Sequence, residues 1–129
     1  MKNKLLITQD LGRVVLNLIN NALYAFIEKR KQTTGDYEPT VTVTTRKTNF
    51  KETFGNITKL EIFLKDNGIG IPQQILEKIY QPFFTTKPAG QGTGLGLSLS
   101  YDIIKAHGGE LKVETRENEG SEFVISLPI

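Results

Sequence analysis

Between residues 90 and 97 the chain reads GQGTGLGL, with glycine at every second position. Neither helix nor strand tolerates that density of glycine, because each one gives up backbone entropy on folding and offers no side chain to pack. The first part of the segment, up to Thr93, reads as a loop, and a helix is predicted from Leu95 to His107, stopped by Gly108 and Gly109. Free backbone N–H groups leading into a helix N-terminus form a cradle for anions such as phosphate. The run lacks the GK[ST] ending of a phosphate loop, and no strand precedes it, which also sets aside a dinucleotide fingerprint.

Bulk properties bound the rest. At 129 residues the chain is sized for one domain, spanning 1–129, able to bury roughly two-thirds of its unfolded surface without a staple. The absence of cysteine excludes disulfides, thiolate metal sites and cysteine nucleophiles. Sixteen basic against 14 acidic residues leave no basic footprint, so no nucleic-acid partner is expected. No apolar run reaches the ~20 residues of a membrane helix. The opening MKNKLLITQD is too short in apolar residues for a secretory signal. The expectation is a soluble, cytoplasmic domain with no direct membrane contact, excised from a parent that can itself be membrane-anchored.

Periodicity divides the chain further. Lys4 to Thr8 reads as a short β-like run suited to a sheet edge, with Asp10 placed to cap a helix. From Leu11 to about Lys31 apolar residues recur at helical spacing. Gly35 and Pro39 end that pattern. Thr40 to Lys47 and Ile57 to Lys65 read as antiparallel strands joined by a linker of moderate length, and Pro72 opens a helix to about Tyr80. Pro82 to Thr93 reads as a mobile loop. Glu110 to Arg116 and Glu122 to Leu127 form a strand pair around the turn ENEG. The fold class is α/β: a two-layer sandwich, with a mixed, mostly antiparallel sheet carrying helices on one face.

Three further segments bear chemistry. Asn17 and Asn21, four apart in a helix, project from one side and interrupt an apolar stripe. They are either capping or solvated amides, or buried amides that need partners such as a hydrated Mg2+ and phosphate oxygens. Asp66, followed by Gly68 and Gly70, is either ordinary turn chemistry or a carboxylate that accepts a hydrogen bond from an exocyclic amine, as adenine offers. In the second case the glycines let backbone approach a flat base. In PFFTTK, Phe83 reads as an aromatic anchor that holds the loop to the core. The functional reading, compatible with it, has Phe83 and Phe84 tether one end of a lid over a nucleotide, with Thr85, Thr86 and Lys87 in reach of its terminal phosphates, Lys87 as a point charge on a flexible stem.

Taken in order, NLINNA, DNGIGI, PFFTTK and GQGTGLGL resemble the ATP-binding catalytic domain of the sensor histidine kinases. That domain is part of a wider ATPase family shared with type II topoisomerases, Hsp90 chaperones and MutL proteins, and its fold is the Bergerat-type ATP-binding fold. The closing IIKAHGGELKVET and GSEFVISLP are similar to it as well. The resemblance implies ATP and Mg2+ as cofactors, with Asn21 as the metal ligand and Asn17, Asn21 and Lys87 as catalytic residues. It implies nucleotide binding by Asn21, Asp66, Gly68, Gly70, Ile71, Phe84, Thr86, Lys87, Gly92, Thr93, Gly94, Leu95, Gly96, Leu97 and Ser121. Asp66 reads adenine in this scheme, and Ser121 stands where the family usually has threonine. The loop is short, as in the nitrogen-sensor branch.

The implied reaction is transfer of the γ-phosphate to a histidine on a separate dimerisation domain, with a response regulator receiver domain downstream. His107, at the end of the last helix, matches a histidine internal to the catalytic domain and not the phosphoacceptor. The chain departs from the family at Tyr24 and Ala25, where many members carry lysine and tyrosine. Hsp90-type and MutL-type hydrolases carry a glutamate where this chain has Asn17, and an amide cannot act as a general base at neutral pH. An ATP hydrolase and a non-catalytic nucleotide-binding module stay open as alternatives.

Overall fold

The computed structural model describes residues 4–52, 55–82, 84 and 96–128. Helix α1 runs from Lys4 to Gln32. Its residues Val14, Leu18, Ala22 and Phe26 are buried at intervals of four and form the stripe that holds it to the protein. The edge strand expected at Lys4 to Thr8 is instead the first part of this helix, and Asp10 lies inside it and caps nothing. No glycine or proline separates Leu5, Leu6 and Ile7 from Leu11, so nothing stops the helical pattern from extending backward. Lys29, Arg30 and Lys31 fill the last turn, where cations oppose the negative end of the helix dipole.

Strands β1 (Val41–Glu52) and β2 (Gly55–Asp66) make a long hairpin, paired from Val41↔Asp66 to Glu52↔Gly55. Much of the sequence expected as a linker is therefore ladder, since Thr48 and Asn49 continue the register opposite Lys59 and Thr58. Helix α2 is only Gln73–Leu76, shorter than the expected helix to Tyr80. Beyond it the Lys78 N–H donates to Ile75 O, Gln81 to Lys78 O and Phe84 to Gln81 O, so successive tight turns replace helical bonding. Helix α3 spans Gly96–Ala106. It ends as expected at the glycine pair: the Gly109 N–H bonds Ile104 O at 2.9 Å and the Gly108 N–H bonds Lys105 O at 3.0 Å, with Gly108 at φ 76°. That pairing is a Schellman stop. Strands β3 (Glu110–Arg116) and β4 (Gly120–Pro128) complete the chain.

The sheet order is β1-β2-β4-β3. Expected to be mixed and mostly antiparallel, it is antiparallel at every pairing among the described residues. Residues opposite one another share a face, so the register resolves that face into rows. Ile62, Ile125 and Leu111 form one row, and Leu64, Phe123 and Val113 the next. Val14 and Leu18 of α1 and Ile104 of α3 pack against these rows in one core. The reverse face carries Phe63, with the Arg46 guanidinium 5.1 Å from its ring.

Ile125 sits at the centre of the core rows with 0% exposure. Its replacement by alanine is expected to cost about 2–5 kcal/mol, read as a lowered midpoint in denaturant unfolding.

Candidate functional site

The third row of the core face is polar. Asp66 of β2, Ser121 of β4 and Thr115 of β3 lie opposite one another at the end of the sheet. Alternation along each strand dictates this: two residues past Leu64, Phe123 and Val113 the same side is reached again. Asp66 is 7% exposed. Its Oδ1 accepts the Gly68 N–H at 2.9 Å. Burial pushes its carboxyl above the usual range, opposed by backbone N–H groups of Gly68 and Ser121 and by the charge of Lys29. A carboxylate held this way has remaining acceptor capacity toward a ligand.

The segment after Asp66 is fastened on several sides. The Ile71 N–H donates to Thr115 Oγ1 at 2.8 Å, and the Asn118 N–H donates to Ile69 O at 2.6 Å. Gly70 has φ 75°, and a Cβ there would meet Arg116 O at 2.2 Å. A Cβ on Gly68 would meet that of Ala25 at 2.6 Å. Both glycines are thus demanded by close packing of the chain on itself, a different reason from open access for a base.

Helix α1 supplies the other wall through Asn17, Asn21, Ala25 and Lys29, each one turn along. The Asn17 Nδ2 donates to Gly96 O at 3.3 Å and to Ser100 Oγ at 3.2 Å, tying α1 to the first turn of α3. The Ala25 carbonyl accepts the Ile69 N–H at 3.3 Å. Lys29 Nζ donates to Asn67 O at 3.2 Å and Asn118 O at 2.8 Å. Between these anchored positions, the Nδ2 of Asn21 is buried and has no hydrogen-bond partner among the described residues. From Asn17 to Ala25 the helix rises about 12 Å. One end of that span holds the start of α3, where the glycine run finishes, and the other holds the Asp66–Ile71 turn.

Asn21, Asp66, Gly68, Gly70, Gly96 and Ser121 are therefore brought to one side of the molecule. Ile71, Phe84 and Leu97 pack against the core beside it. Thr86, Lys87, Gly92, Thr93, Gly94 and Leu95 lie outside the described residues, as does Phe83. His107 is held away from the row: Ile103 O accepts from its Nδ1 at 2.8 Å, and its Nε2 lies 3.5 Å from Asp10 Oδ2.

Four contributors escaped the sequence reading. Thr115 looked like one of several strand threonines, and only its place opposite Ser121 distinguishes it. Lys29 stands beside Arg30 and Lys31, and nothing along the chain sets it apart from them. Asn67 holds the connection before β1, its Oδ1 accepting the Thr40 N–H at 2.8 Å and its Nδ2 donating to Glu38 O at 2.9 Å. Tyr37 donates to Asn67 O at 3.0 Å. The position of Asn67 within DNG was the available signal for it.

Residues 7–129 match the family described as histidine kinase-, DNA gyrase B- and HSP90-like ATPase. The chain belongs to this family. It is 36% identical over 120 residues to sporulation kinase C of Bacillus subtilis (strain 168), covering 93% of this chain and 24% of that protein. With the sensor histidine kinase ZraS of Salmonella typhi it shares 36% over 119 residues, 92% of this chain and 22% of the relative. The chain thus spans about a quarter of the length of these sensor kinases. The nucleotide-free catalytic domain of histidine kinase ThkA superposes with a TM-score of 0.64 at 33% identity, over 93% of this chain and 67% of that one. A mycobacterial sensor histidine kinase, MprB, gives 0.66 at 27%, over 93% and 72%. Both the layered α/β architecture and the kinship with histidine kinase catalytic domains agree with the sequence reading.

The raised carboxyl of Asp66 has a pH consequence for this ATPase-family domain. Its folded form binds its proton more tightly than the unfolded chain does, so this group's contribution to stability falls as pH rises from the ordinary value of 3.8 through the raised folded one. Across that window the stability of Asp66→Asn relative to the parent should increase with pH. Urea melts at a series of pH values measure it, and a constant difference would contradict the assignment.

Proposed function

We propose that the domain binds Mg·ATP and donates the γ-phosphate to a histidine on a separate dimerisation domain, within two-component signalling that continues to a response regulator receiver domain. The observation that supports this most is the buried Asn21 Nδ2, which has no hydrogen-bond partner among the described residues, one helical turn from the Asn17–Gly96 contact on one side and from the Ala25–Ile69 contact on the other. A nucleotide laid along α1 has its base at Asp66 and its phosphates toward Gly96.

In this reading Asp66 accepts a hydrogen bond from the exocyclic amine of adenine, with Ser121 beside it. Gly96 and Leu97 open α3, whose N-terminus favours phosphate charge. Thr86, Lys87, Gly92, Thr93, Gly94 and Leu95 are assigned to the phosphates on the family resemblance. The Asn21 amide suits a hydrated cation: its oxygen and nitrogen exchange by a 180° flip, so either a metal-bound water or the ion can satisfy it. Magnesium, when bound, neutralises phosphate charge and orients the transferring group.

Phosphoryl transfer asks mainly for positioning and charge neutralisation, and the nucleophile comes from the partner domain. Hydrolysis asks for a base to activate water. At the position where the hydrolases carry one, this chain has Asn17, whose Nδ2 is already engaged by Gly96 and Ser100.

Incubation with a cognate histidine-bearing dimerisation domain and γ-labelled ATP is expected to label that histidine, while the domain alone turns ATP over slowly. Binding of ATP without label transfer would instead favour a regulatory module, and rapid turnover by the isolated domain would favour a hydrolase.

Asp66→Asn should weaken ATP binding by more than about tenfold, since a hydrogen bond to a charged group is worth roughly 1.5–3 kcal/mol. Unchanged affinity in a calorimetric titration would remove Asp66 from the base site.

A further inference from the structure

Thr115 is in contact with three polar atoms at once, and its hydroxyl has one proton and two lone pairs to share among them. The Ile71 N–H donates to its Oγ1 at 2.8 Å and takes one lone pair. The carbonyl of Gly120, at 3.1 Å, can only accept, so it receives the Thr115 proton. One lone pair is left for Ser121 Oγ, 2.9 Å away. Satisfying all three contacts therefore requires Ser121 to be the donor. With its single proton spent on Thr115, the Ser121 oxygen offers only lone pairs to its remaining neighbours.

Asp66 is opposite Ser121 in the same polar row, and an ionised carboxylate likewise only accepts. We propose that Thr115 is a positioning residue for base selection. By taking the Ser121 proton it turns the end of the sheet into two adjacent acceptors. That pair fits the two N–H bonds of a 6-amino purine and repels the oxygen of a 6-oxo purine. The inference rests on the reading above, that the base lies at Asp66. It adds that discrimination is not made by the carboxylate alone: the sense of a neighbouring hydroxyl is set from the next strand.

The geometry also explains why a threonine at this place does more than fill space. Valine there has the same shape but none of the three bonds, leaving the Ile71 N–H unmet and freeing Ser121 to rotate. A rotated Ser121 can donate to a 6-oxo oxygen. Serine there keeps the hydroxyl and with it all three bonds.

The test is calorimetric titration of ATP and of inosine triphosphate, its 6-oxo counterpart, into the parent protein, Thr115→Val and Thr115→Ser. The ATP-to-inosine-triphosphate affinity ratio should fall about tenfold in Thr115→Val, the scale of one hydrogen bond gained or lost, and return to the parent value in Thr115→Ser. An unchanged ratio in Thr115→Val, or an equal fall in Thr115→Ser, would overturn the inference while leaving ATP binding intact. A parent protein that binds neither nucleotide would instead overturn the reading of function. Should Thr115→Val fail to fold by thermal melting, Ser121→Ala decides: it should lose affinity for ATP and keep or gain that for inosine triphosphate. Equal loss for both would show that Ser121 is not an acceptor.

Discussion

The antiparallel register of β2, β4 and β3 is the constraint on which this molecule depends. It places Leu64, Phe123 and Val113 in one row and Asp66, Ser121 and Thr115 in the next. A slip of one residue in any strand would send its core side chains to the opposite face. Because the apolar rows have to be buried, the polar row is fixed with them. The site is thus the continuation of the core by one more step of the pleat, and the hydrophobic effect that folds the sheet also aligns its chemistry. The unfavourable burial of Asp66 is tolerated because two backbone N–H groups and a nearby Lys29 offset part of it.

Helix α1 serves the core and the site with two stripes. Val14, Leu18, Ala22 and Phe26 face inward, and Asn17, Asn21, Ala25 and Lys29 follow three residues behind each of them. Both repeats step by four along one helix, so the two stripes run side by side. Anchoring at both ends of the second stripe, through Gly96 and through Ile69, Asn67 and Asn118, leaves Asn21 in the middle, its buried Nδ2 without a partner among the described residues.

Elements with a strong period or a firm stop were legible from sequence. The core of α1, the glycine-terminated end of α3 and the strand pair around ENEG all follow from local chemistry. The start of α1 misled because Leu5, Leu6 and Ile7 are compatible with strand or helix, and such a short apolar run has no period to separate them. The length of the β1–β2 hairpin was hidden by polar, weakly patterned residues whose pairing is decided across the sheet. Asn21, Asp66 and Ser121 were nameable because each stands in a distinctive local motif. Thr115 and Lys29 were not, because their meaning arises only from neighbours on other elements, and no spacing along the chain encodes that.

The two-stripe construction of α1 also bears on how a chain of this kind tolerates changes of length. One residue inserted between Asn17 and Ala25 would turn everything beyond it by about 100°, swinging Lys29 off its carbonyls and Phe26 out of the interior together. The far end of the β1–β2 hairpin has no such coupling, since its ladder continues outward past the last core row and can grow or shrink by facing pairs. Drift in this architecture should therefore accumulate as altered length at the hairpin tip, and along the helix only as exchanges of one side chain for another.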